Sequence, residues 1–333
     1  MKPRVQANGL RTSRPDAASG VLERLYDLAG AFAPLAELAA GRWPVSIVKR
    51  ALEDLQTSGH RMEIAPGHGV RLLRPVKPSA GLIERDLGTK RVGRHALCFD
   101  TVGSTNDVAW DAARQEDSDG LAVIAEYQRA GRGRFGRVWR SPPGASLLMS
   151  VLLRGSLKSL PHEALTILSG LAAAEGIEAA TGLRCSIKWP NDVLMDEAKT
   201  AGVLVERRRI VDLDCAVVGI GVNVSASPPA GLVSAPATDL RESLDGDVER
   251  IELARAILRC LDRRICQAKE GNIDEAARDW LNRCGQLNER VTLQAAGGTH
   301  RGRVIDVSPL EGLVLRTDDG RTLQFRAEET TLH

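Results

Sequence analysis

Two apolar runs, Leu121 to Tyr127 and Ser146 to Leu153, read as strands, and the segment between them fits neither a strand nor a helix. It runs Gly131-Arg-Gly-Arg-Phe-Gly-Arg-Val-Trp139 and turns at Ser141-Pro-Pro-Gly144. Arg129, Arg132, Arg134, Arg137 and Arg140 crowd it, and no Asp or Glu occurs from Tyr127 to His162. Glycines let backbone amides come close to a ligand. Guanidiniums add fixed charge and paired donors for carboxylate or phosphate. Charge alone fits an anion-binding loop, a solvated basic loop and a nucleic-acid patch about equally.

Gly131, Gly133 and Gly136 also spell G-x-G-x-x-G. A dinucleotide site needs a helix opening at that motif and an acidic ribose partner about twenty residues later. Here a Pro-Pro turn follows and the downstream region is acid-free, which argues against a Rossmann site. The 333 residues leave room for two or three domains, and 43% hydrophobic with 26% charged residues is ordinary for a soluble globular chain. A net charge of +2 leaves a nucleic-acid partner to local clustering. The cysteines (Cys98, Cys185, Cys215, Cys260, Cys266, Cys284) are scattered without a C-x-x-C pair. They fit neither zinc nor a secreted disulfide framework, and reduced thiols in the cytoplasm are the simplest expectation. The longest uncharged run, Cys215 to Thr238, is broken by glycine and proline and cannot be a membrane helix. Met1 to Ser19 lacks a signal-peptide core and reads as a disordered tail.

Apolar spacing predicts short helices over Val21 to Ala29, Pro34 to Ala40 and Pro44 to Thr57, the last stopped by Ser58-Gly59. Two extended runs around Pro66-Gly67-His68-Gly69 predict a hairpin over Arg61 to Leu73. Three helices and a hairpin make a winged helix-turn-helix, with Pro44 to Thr57 as recognition helix. Arg42, Ser46, Lys49 and Arg50 are its candidate DNA contacts, the basic ones gripping phosphates. A Pro- and Gly-rich linker follows, with a short helix near Leu82 to Leu87. After a strand at Ala96 to Phe99, Ser104 and Asp107 have capping-box form and predict a helix to about Gln115. Ser104, Thr105 and Asn106 then cluster polar groups at a helix start. His162 to Thr181 predicts a sheet-covering helix; Lys188 ends a strand before a Pro-Asn-Asp turn. Gly219 and Gly221 interrupt the apolar strand Ala216 to Val224, where bare backbone implies close approach by a ligand. Helices over Val248 to Lys269 and Asp274 to Cys284 precede short alternating runs and turns that predict a small, SH3-like β-barrel.

Gly103-Ser-Thr-Asn106, Gln128-Arg-Ala-Gly-Arg-Gly-Arg-Phe-Gly-Arg137 and Lys188-Trp-Pro-Asn-Asp192, in this order and spacing, closely resemble the biotin protein ligases, in particular the bifunctional ones that also repress a biotin operon. The resemblance extends from the Pro-Gly-His-Gly wing to the C-terminal barrel. It implies an α/β (α+β) chain: a tail over 1–18, winged helix over 19–76, linker over 77–94, a biotin/lipoate ligase-like mixed-sheet catalytic domain over 95–285 and an SH3-like domain over 286–333. The implied reaction makes biotinyl-5′-adenylate from biotin and MgATP, then passes the acyl group to a lysine of a biotin carboxyl carrier protein. By resemblance, Arg132, Arg134 and Lys188 carry the chemistry. Ser104, Thr105, Asn106, Gln128, Gly133, Gly219 and Gly221 join them around biotin. Arg132, Arg134, Arg137, Trp139, Asn191 and Asn223 meet the nucleotide, and Asp192 helps hold magnesium. Operator DNA and a homodimer are implied further partners; a membrane is not. One departure is that Ser234-Ala-Pro-Ala-Thr-Asp-Leu240 lacks the aromatic that some bifunctional members place over adenine.

Two rival readings remain: a lipoate–protein ligase, whose dithiolane substrate offers nothing for Ser104, Thr105 and Gln128 to bond, and a ligand-sensing transcription factor without ligase activity.

Overall fold

A computed structural model describes residues 16–155, 157, 160–210, 212–229, 236–295, 298–327 and 330–332. The chain opens with helices α1 (Ala17–Asp27), α2 (Leu35–Ala39) and α3 (Val45–Thr57) and the strands β1 (Met62–Ala65) and β2 (Gly69–Leu72). Residues 1–15 of the expected tail lie outside the described residues, but its end does not behave as a tail. The Asp16 side chain accepts from the Ser19 N–H at 2.7 Å, capping α1 and starting it four residues before its apolar stripe begins. β1 and β2 pair antiparallel, and Ala33 bridges to Val70 on the outside of β2.

Next come α4 (Ala80–Glu84), β3 (Ala96–Val102), α5 (Thr105–Ala112), β4 (Ala122–Gln128), β5 (Ser146–Arg154), α6 (His162–Thr181), β6 (Ser186–Lys188), β7 (Asp192–Met195), β8 (Ala198–Ile210) and β9 (Leu213–Asn223). The seven strands form one mixed sheet in the order β3-β4-β5-β9-β8-β7-β6, parallel only between β3 and β4. Then follow α7 (Leu240–Leu244), which the sequence reading missed, α8 (Arg250–Lys269) and α9 (Ile273–Leu281). Strands β10 (Arg290–Ala295), β11 (Gly298–Ser308), β12 (Gly312–Thr317), β13 (Thr322–Phe325) and β14 (Thr331–Leu332) close the chain as an antiparallel sheet of order β13-β12-β11-β10-β14. No helix among the described residues is long and apolar enough to cross a membrane.

Strand alternation divides the large sheet's faces. Leu147, Met149, Val151, Val218, Ile220, Val222 and Val203 are buried in the main core with the apolar side chains of α6 and α8. On the other face, Leu152, Val217 and Val123 pack under Trp110 and Ala109 of α5. Beyond that apolar end, the same face carries Ser150, Leu148 and Ser146 on β5 opposite Gly219, Gly221 and Asn223 on β9. An amphipathic sheet with this polar, small-residue half is what leaves room for a site.

α8 also ties the segment between the N-terminal helices and the sheet. Its buried Asp262 carboxylate accepts the backbone N–H groups of Lys90, Arg91 and Val92, each at 2.8 Å. Arg255 and Arg259 donate to the carbonyls of Leu82 and Leu87 at 2.8 and 3.0 Å. Asp262→Ala strands these donors and should cost about 3 kcal/mol. Denaturant unfolding measures this, and a loss under about 1 kcal/mol would show that the segment is held by other means.

Candidate active site

The loop 129–144 is a closed arch. Gly133 N–H donates to Arg137 O at 2.7 Å, Trp139 N–H to Gly131 O at 3.0 Å, and Arg132 bridges to Val138. At its tip Phe135 takes the left-handed conformation (φ 56°), and the Arg134 guanidinium sits 4.8 Å from its ring centroid. Phe135 and Val138 are exposed, as is Arg137. The arch is anchored on both sides. Arg134 donates to Asn191 Oδ1 at 3.2 Å and to the Ala327 carbonyl, joining it to the β6–β7 turn and to the C-terminal sheet. Asn191 is itself buried and donates to Val203 O.

Trp139 is the residue that reaches the floor. A Cβ on Gly221 would lie 2.6 Å from Trp139 Cε2, and one on Gly202, its partner across the β8–β9 pair, 3.2 Å from Trp139 Cζ3. The indole therefore lies on bare backbone, with Lys199 Nζ 5.8 Å from its ring centroid. Gly219 makes room for Asn106, whose Oδ1 would be 2.5 Å from an added Cβ. The glycines expected to admit a ligand ring thus admit two protein side chains in this structure. Trp139 Nε1 and Asn223 Oδ1 are buried without a hydrogen-bond partner among the described residues. Each keeps hydrogen-bonding capacity for a further partner.

At the start of α5, Ser104, Thr105 and Asn106 are all buried. The capping box does not form: Ser104 makes no side-chain cap bond, and Asp107 instead takes a two-pronged ion pair with Arg132, at 2.9 and 2.8 Å. That hydrogen-bonded pair raises the Arg132 pKa above its ordinary value, so the charge is permanent. Gln128 Oε1 accepts from Thr105 N–H at 2.7 Å and from Thr105 Oγ1 at 3.0 Å. Ser150, Glu206 and Trp110 complete the corner, with Asn106 Nδ2 and Trp110 Nε1 both donating to Glu206 Oε2, at 3.1 and 2.8 Å. None of these three was singled out from the sequence. The available signal was strand alternation, since Ser150 and Glu206 fall on the same sheet face as the glycines.

Lys188 ends β6 opposite Asp192. Burial pushes its ammonium pKa down, Asp192 opposes that, and Lys199 and Arg137 add to the fall. Asp192 is ion-paired with Lys199 at 2.6 Å. No cluster of three His, Cys, Asp or Glu occurs among the described residues, so a magnesium ion here would rest on a single carboxylate together with phosphate oxygens and water. Of the aromatic-free stretch over 234–240, residues 234 and 235 lie outside the described residues.

Comparison with known proteins bears on this geometry. Residues 98–223 match the Biotin/lipoate A/B protein ligase family. The bifunctional ligase/repressor BirA of Bacillus subtilis is 31% identical over 278 residues, 82% of this chain and 85% of that protein. The chain belongs to the biotin protein ligase family. The biotin–[acetyl-CoA-carboxylase] ligase of Mycobacterium tuberculosis is 34% identical over 233 residues, 68% of this chain and 84% of that one. Among solved structures, the biotin protein ligase of Aquifex aeolicus in complex with biotin and ATP superposes with a TM-score of 0.61 at 29% identity, covering 72% of this chain and 98% of that one. The match to the family model spans Ser104 through Asn223, the interval that holds the polar corner, the arch and Lys188, and this chain is a ligase of that family.

Holding the Lys188 ammonium partly out of water costs stability. A lysine with a lowered folded-state pKa binds its proton less well than in the unfolded chain, so stability rises with pH between the lowered value and the ordinary 10.5. Lys188→Met should therefore unfold at higher denaturant than wild type at pH 7 and lack this alkaline rise. A variant less stable than wild type at pH 7 would contradict the cost assigned to Lys188.

Proposed function

We propose that this chain joins biotin to ATP and then to a carrier protein. A biotin carboxylate oxygen bonds to the α-phosphorus, the bond to the β-phosphate oxygen breaks, and pyrophosphate leaves. The resulting biotinyl-5′-adenylate gives its acyl group to the amine of a lysine on a biotin carboxyl carrier protein, releasing AMP and a proton. The observation that carries this reading is the placement of Arg132, Arg134 and Lys188 around one polar face of the sheet. Bringing a carboxylate to a phosphate sets two anions side by side, so catalysis is charge neutralisation and positioning. Arg134 and Lys188 are the groups assigned to the acyl and phosphoryl oxygens; Arg132 joins them by exchanging Asp107 for substrate.

Thr105, Asn106 and Gln128 are assigned to the urea ring, and Trp139 and Asn223, each with a polar atom to satisfy, to the nucleotide side. Trp139 would leave its glycine seat as substrates enter. Magnesium is assigned to the triphosphate, with Asp192 as its one protein carboxylate on parting from Lys199. The buried amide and hydroxyl groups favour biotin over lipoate, because a dithiolane would leave them unpaired.

The N-terminal unit supports a second role. Its short helices and β1–β2 hairpin have winged helix-turn-helix order, and Arg42, Ser46, Lys49 and Arg50 are exposed along the start of α3. The Bacillus subtilis relative carries the name ligase/repressor. We assign operator binding to this unit and an SH3-like fold to the C-terminal sheet; the divisions fall near residues 76, 94 and 285.

Pyrophosphate release measured with ATP, with and without biotin, tests the reaction. Wild type should release it only with biotin, and Lys188→Ala should lose at least about a hundredfold in rate, as removal of a charge-stabilising group does. Biotin-independent release, or an unimpaired Lys188→Ala, would overturn the reading. Arg134→Ala should let adenylate escape in a chase, because the arch loses its tie to Asn191 and the Ala327 carbonyl; retention equal to wild type would show that the arch does not seal the site.

A further inference from the structure

Glu206 stands on β8, opposite Val217 and outside every motif read from the sequence. Its carboxylate has no hydrogen to offer, so both groups that face Oε2 must donate: Trp110 Nε1 at 2.8 Å and Asn106 Nδ2 at 3.1 Å. With Nδ2 committed there, the Asn106 amide oxygen is turned to Ser150, whose Oγ lies 2.6 Å away. An amide oxygen only accepts, so the one Ser150 hydrogen goes to it. The Ser150 oxygen also faces Thr105 Oγ1 at 2.7 Å, and Thr105 Oγ1 lies 3.0 Å from Gln128 Oε1. The threonine hydrogen is therefore spent inside the network, and its outward face is a lone pair. Gln128, its oxygen held by Thr105 N–H at 2.7 Å, is left with its NH₂ group to offer.

We propose that Glu206 is a positioning residue that fixes the floor of the corner, holding Asn106 and through it Ser150 in place beneath Thr105. On that floor the Thr105–Gln128 pair shows an acceptor (Thr105) beside a donor (Gln128), the complement of one N–H and the C=O of a cyclic urea. This rests on biotin being the substrate, and it assigns recognition of the urea edge to a side chain that never touches it. Without the Glu206 acceptor Asn106 is free to turn over, the Ser150 hydroxyl loses the oxygen that aims it, and Thr105 loses the support beneath it. Glu206 Oε1 also lies 3.6 Å from Arg132 Nη2, so charge on Arg132 is the competing explanation of any effect.

The variants separate the two. Glu206→Ala removes the acceptor; Glu206→Gln removes the charge but keeps an oxygen for Trp110 and Asn106; Ser150→Ala removes the donor from the far side of Asn106 without touching Arg132. Initial rates of pyrophosphate release are measured against biotin and against ATP. Glu206→Ala and Ser150→Ala should each raise the biotin KM about tenfold or more, the effect of one buried hydrogen bond displaced, while the ATP KM and the rate at saturating biotin stay within about threefold. Glu206→Gln should recover most of the biotin KM. Ser150→Ala is a small truncation in the middle of β5 and keeps the test open should Glu206→Ala fold poorly. An unchanged biotin KM in Ser150→Ala, or a Glu206→Gln as impaired as Glu206→Ala, overturns the proposal. A wild type that releases no pyrophosphate with biotin sinks the substrate reading instead.

Discussion

Where β8 and β9 pair Gly202 with Gly221, an otherwise bulky sheet has bare backbone on the part of its α5-bearing face that α5 leaves open. Strand propensity runs against glycine at such positions, since a sheet loses packing and gains chain entropy there. The cost is offset by what the flat patch admits. Trp139 descends from the arginine arch to lie on it, and Asn106 enters beside it over Gly219. Buried polar groups then surround the patch, and the fold satisfies most of them with one another. A site of this kind depends on the absence of side chains as much as on their presence.

The charges follow the same logic. Arg132 is held by Asp107 and lies near Glu206, Arg134 is held by Asn191 and the Ala327 carbonyl, and Lys199 is held by Asp192. Each cation is fixed in place by a neighbour, so the fold sets where the positive charge stands. Lys188 differs, because burial lowers its pKa and like charges add to that fall. The arch is steadied from further off as well. Arg250, buried at the start of α8, grips the Glu126 carboxylate at 2.8 and 3.0 Å, and the carbonyl of Glu126 receives the Gly144 N–H that ends the loop. The same helix holds Val76 through Glu249, so one element borders both the loop and the N-terminal unit.

Much of this was legible beforehand, for identifiable reasons. Helix α6 was readable end to end because a long alanine- and leucine-rich run bounded by Pro161 and Gly182 has few alternatives. Gly219, Gly221 and the arginine arch stood out because they break a local rule, and broken rules gather at functional sites. Glu206 and Ser150 break none. A glutamate on a strand looks solvent-facing until Trp110 and Asn106 are seen to converge on it from α5, which is sequence-distant. The capping box failed for a related reason. Ser104 and Asp107 have the spacing, but an arginine from the arch binds the Asp107 carboxylate more strongly than a neutral hydroxyl and a backbone amide can compete for. Short α7 was missed because its five residues carry little periodicity and no proline marks its start, as Pro34 does for the equally short α2.

The central claim is that the polar corner beside the glycine floor selects a urea ring and that the cations beside it activate the acid attached to that ring. Its most direct test offers the protein equal biotin and lipoate, with MgATP and a biotin carboxyl carrier domain, and weighs the carrier by mass spectrometry. The account predicts one added biotinyl group on the acceptor lysine and no lipoyl adduct. A carrier that gains lipoyl as readily as biotinyl, or gains nothing, contradicts it.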